Sequence, residues 1–326
     1  MDWLYDRYDR LLAFLFEGAI QPLFYALGLM DWADDAFEWL DFFVFGAIQV
    51  AVVVLVCRPL ELWRPVEQSQ PRRLIRTDIV YTLLSRLGLL PLIGYVLFVA
   101  AAARIEGWIA DAGWVPPTLE TLLPWLRDWP LAALLVYIVV LDFFEYWRHR
   151  FQHMFGWWWA LHSIHHAQTA MTFWTDDRNH VLDDVIAAAW VAGIAVLIGV
   201  PPGQFPLILM VLRLAEALSH ANARIDFGWL GERLLVSPRY HRLHHGLLSA
   251  GAEGKNYAVL LPIWDWAFGT ADFRRDVYPR TGDPTAPAAY VEGGWLRQQL
   301  AGFVCFARAL FGRRPPPGDA PHPPAA

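Results

Sequence analysis

Histidine is the residue type in this chain whose spacing points to chemistry. Eight of the eleven histidines fall in three short boxes, HRFQH (His149, His153), HSIHH (His162, His165, His166) and HRLHH (His241, His244, His245). His180 and His220 lie between the boxes, and only His322, in a Pro-rich tail, lies outside them. Positions i, i+3 and i+4 of a helix share one face, so each box is expected to point two or three imidazoles at one place. Imidazole suits iron, zinc, copper and nickel. One zinc is satisfied by about four ligands, or by three and a water. Eight or more imidazoles therefore argue for two adjacent ions with about four nitrogens each. No HExxH occurs, so the zinc-protease arrangement has no support. A lone histidine is usually a surface or satisfied core residue. Clustering removes that reading for the eight box histidines, and nothing removes it for His322.

The elements that must position these residues read as a membrane scaffold. The chain is 56% apolar and 18% charged, with 18 Trp and 20 Phe, against about 25% charged residues in ordinary soluble proteins. Mean hydropathy is +0.30. A net charge of −6 and no basic patch with interleaved aromatics exclude nucleic acid as a partner. The two cysteines, Cys57 and Cys305, are far apart in apolar surroundings and suggest neither a disulfide framework nor a redox pair.

Residues 1–35 read as an interfacial or partly inserted helix, with a full crossing as the alternative, because Glu17, Gly18, Gln21 and Pro22 interrupt the apolar run. Phe37 to Cys57 is a cleaner span, expected to stop at Arg58-Pro59. The arginines at 58, 64, 72, 73 and 76 place the next connector on the cytoplasmic side. A second span is expected from about Asp78 to Ala103, with a kink or a packed polar contact where it holds Arg86 and Pro91, and a third from Pro130 to about Phe144, running into the first box. Val181–Leu218, broken by Pro201-Pro202-Gly203, reads as a helical hairpin that enters part-way or crosses twice. Either geometry returns the third box to the side of the first two. Gly293 to Phe311 reads as an interfacial amphipathic helix, and residues 312–326 as a disordered Pro-rich tail. The expected fold class is all-α: a polytopic membrane helical bundle over residues 36–311, with a cytoplasmic histidine-rich cap (core 142–270) holding a di-metal site.

Carboxylates can orient metal-bound imidazoles through the other ring nitrogen. Asp142 and Glu145 lie seven and four residues before His149, on the same helical stripe. Asp177, Asp183, Asp184 and Glu216 are further candidates, and Asn222 is a candidate contact to metal-bound water. The competing reading of the carboxylates is helix capping or pairing with Arg148, Arg178 or Arg213.

The box order, with about 75 residues between the second and third boxes, resembles the fatty acid hydroxylase/sterol desaturase superfamily of integral-membrane di-iron oxygenases, in its bacterial branch. The resemblance runs from about Asp142 to Thr270, through DFFEYWRHRFQH, WWALHSIHH, and SPRYHRLHHG followed by KNYAVLLPIWDWAFGT. It implies that the eight box histidines bind two irons that activate O2, with His220 completing the set. His180 matches a position that is often histidine in sterol-modifying members, and its role as ligand, site lining or support of a ligand stays open.

The activity so implied is O2-dependent hydroxylation of a lipid C–H bond, fatty acyl, sterol-like or related. Electrons would come from a separate ferredoxin, cytochrome b5-like protein or reductase. Desaturation by the same site is the alternative within that chemistry, and a membrane zinc hydrolase or a metal transporter are alternatives outside it. High Ala, Arg and Pro usage, with Lys255 the only lysine, suggests a bacterial inner membrane, with the boxes facing the cytoplasm.

Overall fold

The computed structural model describes residues 2–88, 117–200, 205–247 and 254–312, with 90, 104, 107–109 and 111–113 between them. Among the described residues regular structure is helical, and strand pairing is limited to one isolated bridge, Gly246 with Thr281. Helix α1 (Asp2–Leu15) passes through a π-helical turn at Phe16–Ile20 into α2 (Gln21–Leu27), which ends on Gly28 at φ 68°. Helix α3 (Ala33–Trp63) follows.

The expected stop at Arg58-Pro59 is not where α3 ends; the helix runs on through Pro59 to Trp63. Proline removes a single ladder bond, and the last turn has a compensating anchor. Glu61 is buried there and accepts from the backbone N–H of Phe173 (3.1 Å) and of Asn222 (3.0 Å). Those bonds tie the foot of α3 to the segments that carry the histidines.

Helix α4 (Arg72–Arg86) is the described part of the second expected span. Its continuation to Ala103, the kink at Pro91, the Pro201-Pro202-Gly203 turn and residues 313–326 lie outside the described residues. After the short α5 (Leu119–Leu122), α6 (Pro130–Met154) joins the third apolar run and the first box in one continuous helix. Helix α7 (Gly156–His166) carries the second box. The hairpin is α8 (Val181–Ile198), closed by Gly199 at φ 64°, and α9 (Phe205–His220). Helices α10 (Gly228–Leu234) and α11 (Pro238–His244) follow, the latter carrying the third box, with Ser237 capping it through a bond from Tyr240 N. Helices α12 (Ile263–Ala267), α13 (Ala288–Glu292) and α14 (Trp295–Leu310) complete the described chain.

Among the described residues, four helical stretches are long and apolar enough to cross a membrane: Tyr5–Leu27, Met30–Trp63, Pro130–Met154 and Val181–Ile198. Leu134, Tyr137 and Leu141 of α6 pack against Ile208 and Leu212 of α9, so the hairpin's return arm lies along the helix that carries the first box. Helix α14 packs on α7 with inverted polarity: Gln298 and Gln299 are buried, while Leu296, Leu300, Phe303 and Val304 face outward. At 16 residues, or about 24 Å, it is too short to cross a bilayer and has the outward apolar face of a helix lying on one.

Candidate metal centre

Four helices bring nine histidines together: α6 (His149, His153), α7 (His162, His165, His166), α9 (His220) and α11 with its C-terminal flank (His241, His244, His245). Their ligand atoms form two groups, within each of which they lie within 4.8 Å of one another. His149, His153, His162, His166 and His244 form one, and His165, His220, His241 and His245 the other. The groups adjoin: His166 and His245, one from each, stack with ring centroids 4.3 Å apart.

The expectation that a box points all its imidazoles at one place is corrected here. Both HxxHH boxes split, with the i, i+4 pair in one group and the i+3 histidine in the other. At about 100° per residue, i and i+4 differ by roughly 40° in direction, while i+3 and i+4 differ by roughly 100°.

Hydrogen bonds settle the tautomers of three of these rings. His149 Nδ1 lies 2.8 Å from the Tyr257 carbonyl, His244 Nδ1 2.8 Å from that of Lys255, and His220 Nδ1 2.7 Å from that of Glu216. A carbonyl only accepts, so Nδ1 carries the proton and donates in each case, leaving a lone pair on Nε2. Those Nε2 atoms point inward. His220 Nε2 is 3.0 Å from both His165 Nε2 and His241 Nε2, and His244 Nε2 is 3.2 Å from His166 Nε2. Asp183 Oδ2 lies 3.6 Å from His162 Nδ1 and is itself held by Gln152 and Trp158.

The donor set fits metal ions. His153 Nε2, His165 Nδ1, His241 Nδ1 and both nitrogens of His162 are buried without a hydrogen-bond partner. An unsatisfied buried polar group costs about 1–3 kcal/mol, and a cation at the convergence of the Nε2 atoms would engage the inward lone pairs. Burial pulls His244 down to about 4. Burial, reinforced by neighbouring imidazoles, holds His162, His165, His166, His241 and His245 well below the ordinary histidine range. Neutral rings are the form that binds metal. Neither group contains a carboxylate or thiolate.

His180 is not brought to either group. Its Nδ1 accepts from Leu182 N (3.1 Å), capping α8, and its Nε2 donates to the Gln299 carbonyl (3.0 Å) on α14. Neither ring nitrogen is free to ligate. Three of the expected supports have other partners. Asp142 accepts from the N–H groups of Leu260 and Leu261 and from Trp264 Nε1; Glu145 accepts from Arg148; Asn222 bonds both backbone groups of Glu67. Asp176, pushed well above the ordinary carboxylate range by burial and by the Glu216 charge, lies 3.7 Å from His220 Nδ1.

Sequence reasoning missed Asp265 and Asn256. Asp265 is fully buried and accepts from Tyr257 N and Ala258 N, both at 2.9 Å, organising the strand of chain whose carbonyls hold His149 and His244. Asn256, at φ 60°, donates to the Tyr240 carbonyl and accepts from Asp272 N. The available signal was that Asp265 is the one charged residue in the apolar, aromatic run Tyr257–Phe268.

Residues 134–270 match the family model for fatty acid hydroxylase, a range that holds all nine clustered histidines and Asp265. The chain carries a fatty acid hydroxylase domain. Over that domain it is similar to human alkylglycerol monooxygenase, 32% identical over 161 residues, 49% of this chain and 35% of the human protein. The ornithine lipid hydroxylase OlsE of Rhizobium tropici is 29% identical over 277 residues, 83% of this chain and 79% of that protein. Methylsterol monooxygenase 1-3 of Arabidopsis thaliana is 28% identical over 147 residues, covering 43% and 48% of the two chains. The chain spans about a third of the length of the vertebrate alkylglycerol monooxygenases it matches. No solved structure matches it. The matched range runs from α6 to just beyond α12, and the human, Rhizobium tropici and Arabidopsis thaliana relatives are two monooxygenases and a lipid hydroxylase.

Proposed function

We propose that the protein is an integral-membrane di-iron monooxygenase that hydroxylates a C–H bond of a lipid. The observation that carries this reading is the pair of adjacent all-histidine groups at the end of an apolar helix, inside a fatty acid hydroxylase domain. The overall reaction consumes a C–H bond, O2, two electrons and two protons, and yields an alcohol and water. When bound, two irons supply the redox chemistry that activates O2.

The chain's own residues do the rest. Five histidines would hold one iron and four the other, with His149, His220 and His244 locked in the ligating tautomer by backbone carbonyls. Burial of the rings excludes bulk water from the reacting region. Helix α6, exposed to the bilayer through Leu131, Leu135 and Val139, ends in the first box, which puts a lipid chain within reach of the site. Lipid is the substrate class common to alkylglycerol, ornithine lipid and methylsterol, the compounds named in the relatives. Electrons come from a separate donor. The boxes face the cytoplasm of a bacterial inner membrane, in keeping with the arginines that follow α3.

The test is to purify the protein in detergent, measure iron per chain, and follow O2 consumption and hydroxylated product with a chemical reductant and membrane lipids. Two irons per chain and O2-dependent lipid hydroxylation are expected. Zinc alone restoring activity, or turnover without O2, would overturn the proposal.

A further inference from the structure

The two histidine groups are supported unequally. In the five-histidine group, His149 and His244 both donate through Nδ1 to carbonyls of one short stretch, Tyr257 and Lys255. In the four-histidine group the corresponding carbonyl belongs to Glu216, inside α9. A helical carbonyl is placed by the helix itself. The 255–258 stretch is not helical, so something else must hold its carbonyls in place.

Asp265 holds them. Each carboxylate oxygen accepts one backbone N–H and one hydroxyl: Oδ1 from Tyr257 N (2.9 Å) and Thr270 Oγ1 (2.7 Å), Oδ2 from Ala258 N (2.9 Å) and Tyr240 OH (3.0 Å). The Ala258 N–H shares its peptide with the Tyr257 carbonyl and the Tyr257 N–H lies in the preceding peptide, so these two bonds fix the peptides on either side of the Tyr257 Cα and with them the direction of that carbonyl. At the other end, Asn256 N donates to the Thr270 carbonyl (2.9 Å) and Asn256 Nδ2 to the Tyr240 carbonyl (2.9 Å), which aims the Lys255 carbonyl at His244. Thr270 is thus shared by both ends of the stretch.

We infer that Asp265 is a positioning residue for one metal ion only, acting through the Tyr257 and Lys255 carbonyls on His149 and His244 of the five-histidine group. The inference rests on the two-iron reading of the site. In Asp265→Asn the amide nitrogen must face a backbone N–H, so one of the two N–H bonds is replaced by an opposed pair of donors. The stretch shifts, and two of five ligands lose their orientation. Loss of such a support typically weakens metal binding about 10–100-fold. The four-histidine group has no contact with the stretch through its Nδ1 atoms and keeps its ion.

The experiment loads wild-type and Asp265→Asn full-length protein with ⁵⁷Fe in detergent, titrates with a chelator, and reads iron per chain and the Mössbauer spectrum. His153→Ala and His241→Ala identify the signal of each group. The expected result is one ion lost at about 10–100-fold lower chelator in Asp265→Asn, with the signal that disappears in His153→Ala. Both ions held as in wild type, or both weakened alike, overturns the inference. Should Asp265→Asn fail to fold, Thr270→Val decides, since it removes one hydroxyl bond and leaves both N–H bonds. Selective weakening of the same ion supports the clamp, and equal or no weakening overturns it. A wild-type protein that holds no iron sinks the two-iron reading instead, a distinct result.

Discussion

His180 offers a sharp test of how the site is bounded, because it is a histidine within the hydroxylase domain that the structure keeps away from the metal groups. Consider His180→Ala. The side chain caps α8 through Leu182 N (3.1 Å), and losing a cap costs about 0.5–2 kcal/mol. It also donates to the Gln299 carbonyl (3.0 Å), which the α14 ladder satisfies as well, so removal loses one further hydrogen bond, about 0.5–1.5 kcal/mol. The ring packs edge-on against Phe303 with centroids 4.4 Å apart, so its removal also opens space between α8 and α14. The expected loss is therefore about 1–4 kcal/mol of stability, with metal per chain unchanged. His180→Asn should recover part of it, since asparagine caps well but does not reach Gln299. Thermal unfolding in detergent reads the stability, and elemental analysis of the folded fraction reads the metal. A folded His180→Ala protein that has lost an ion would refute the reasoning.

Three further outcomes follow from the same geometry. Stripping metal with a chelator should lower the unfolding temperature, because the inward Nε2 lone pairs then face one another at 3.0–3.2 Å; a chelated protein as stable as the loaded one would show that the groups do not hold structural metal. Arg178→Met should destabilise the fold by about 3–5 kcal/mol, since it leaves Asp78 charged and fully buried where the pair had been 2.7 Å apart; adding Asp78→Asn should restore much of the loss, and no restoration in the double variant would remove the pairing argument. A nitroxide at Leu300→Cys, on the outward face of α14, should sit at acyl-chain depth in a nanodisc containing anionic lipid, read by collision with O2 against a water-soluble nickel chelate; a label exposed to the nickel chelate would contradict the interfacial placement.

The site's histidines and the helices that carry them were legible in the sequence because both signals are local. A box is a run of five residues, and an apolar span announces itself by composition. What was not legible depends on contacts across the fold. The extension of α3 past Pro59 rests on Glu61 reaching Phe173 and Asn222, more than a hundred residues away. Asp142 sits on the same stripe as His149, yet it serves the backbone at Leu260 and Leu261 rather than an imidazole. The groups that orient His149, His220 and His244 are backbone carbonyls, which every residue possesses and no residue type advertises. The role of His180 stays open from its type and place alone; its hydrogen bonds, to Leu182 and to a carbonyl on α14, keep it outside both groups.

The splitting of the boxes gives the motif a physical meaning beyond a supply of nitrogens. In HxxHH the i, i+4 pair faces one way and the i+3 residue is turned aside, so a single box suits two neighbouring ions better than one. The two HxxHH helices use this in opposite senses. Helix α7 gives its pair, His162 and His166, to the five-histidine group and His165 to the other; α11 gives His241 and His245 to the four-histidine group and His244 to the first. Each ion would therefore be bound to both helices, and each helix to both ions. The HxxxH box of α6 has no turned residue and serves one group, as His220 of α9 serves the other. In such a lattice the separation of the ions follows from side-chain directions within each box, which the α-helix fixes. Sliding α7 against α11 would therefore disturb both ions together. An all-histidine site gains from this arrangement, because neither group includes a carboxylate that could bridge the ions and set the distance.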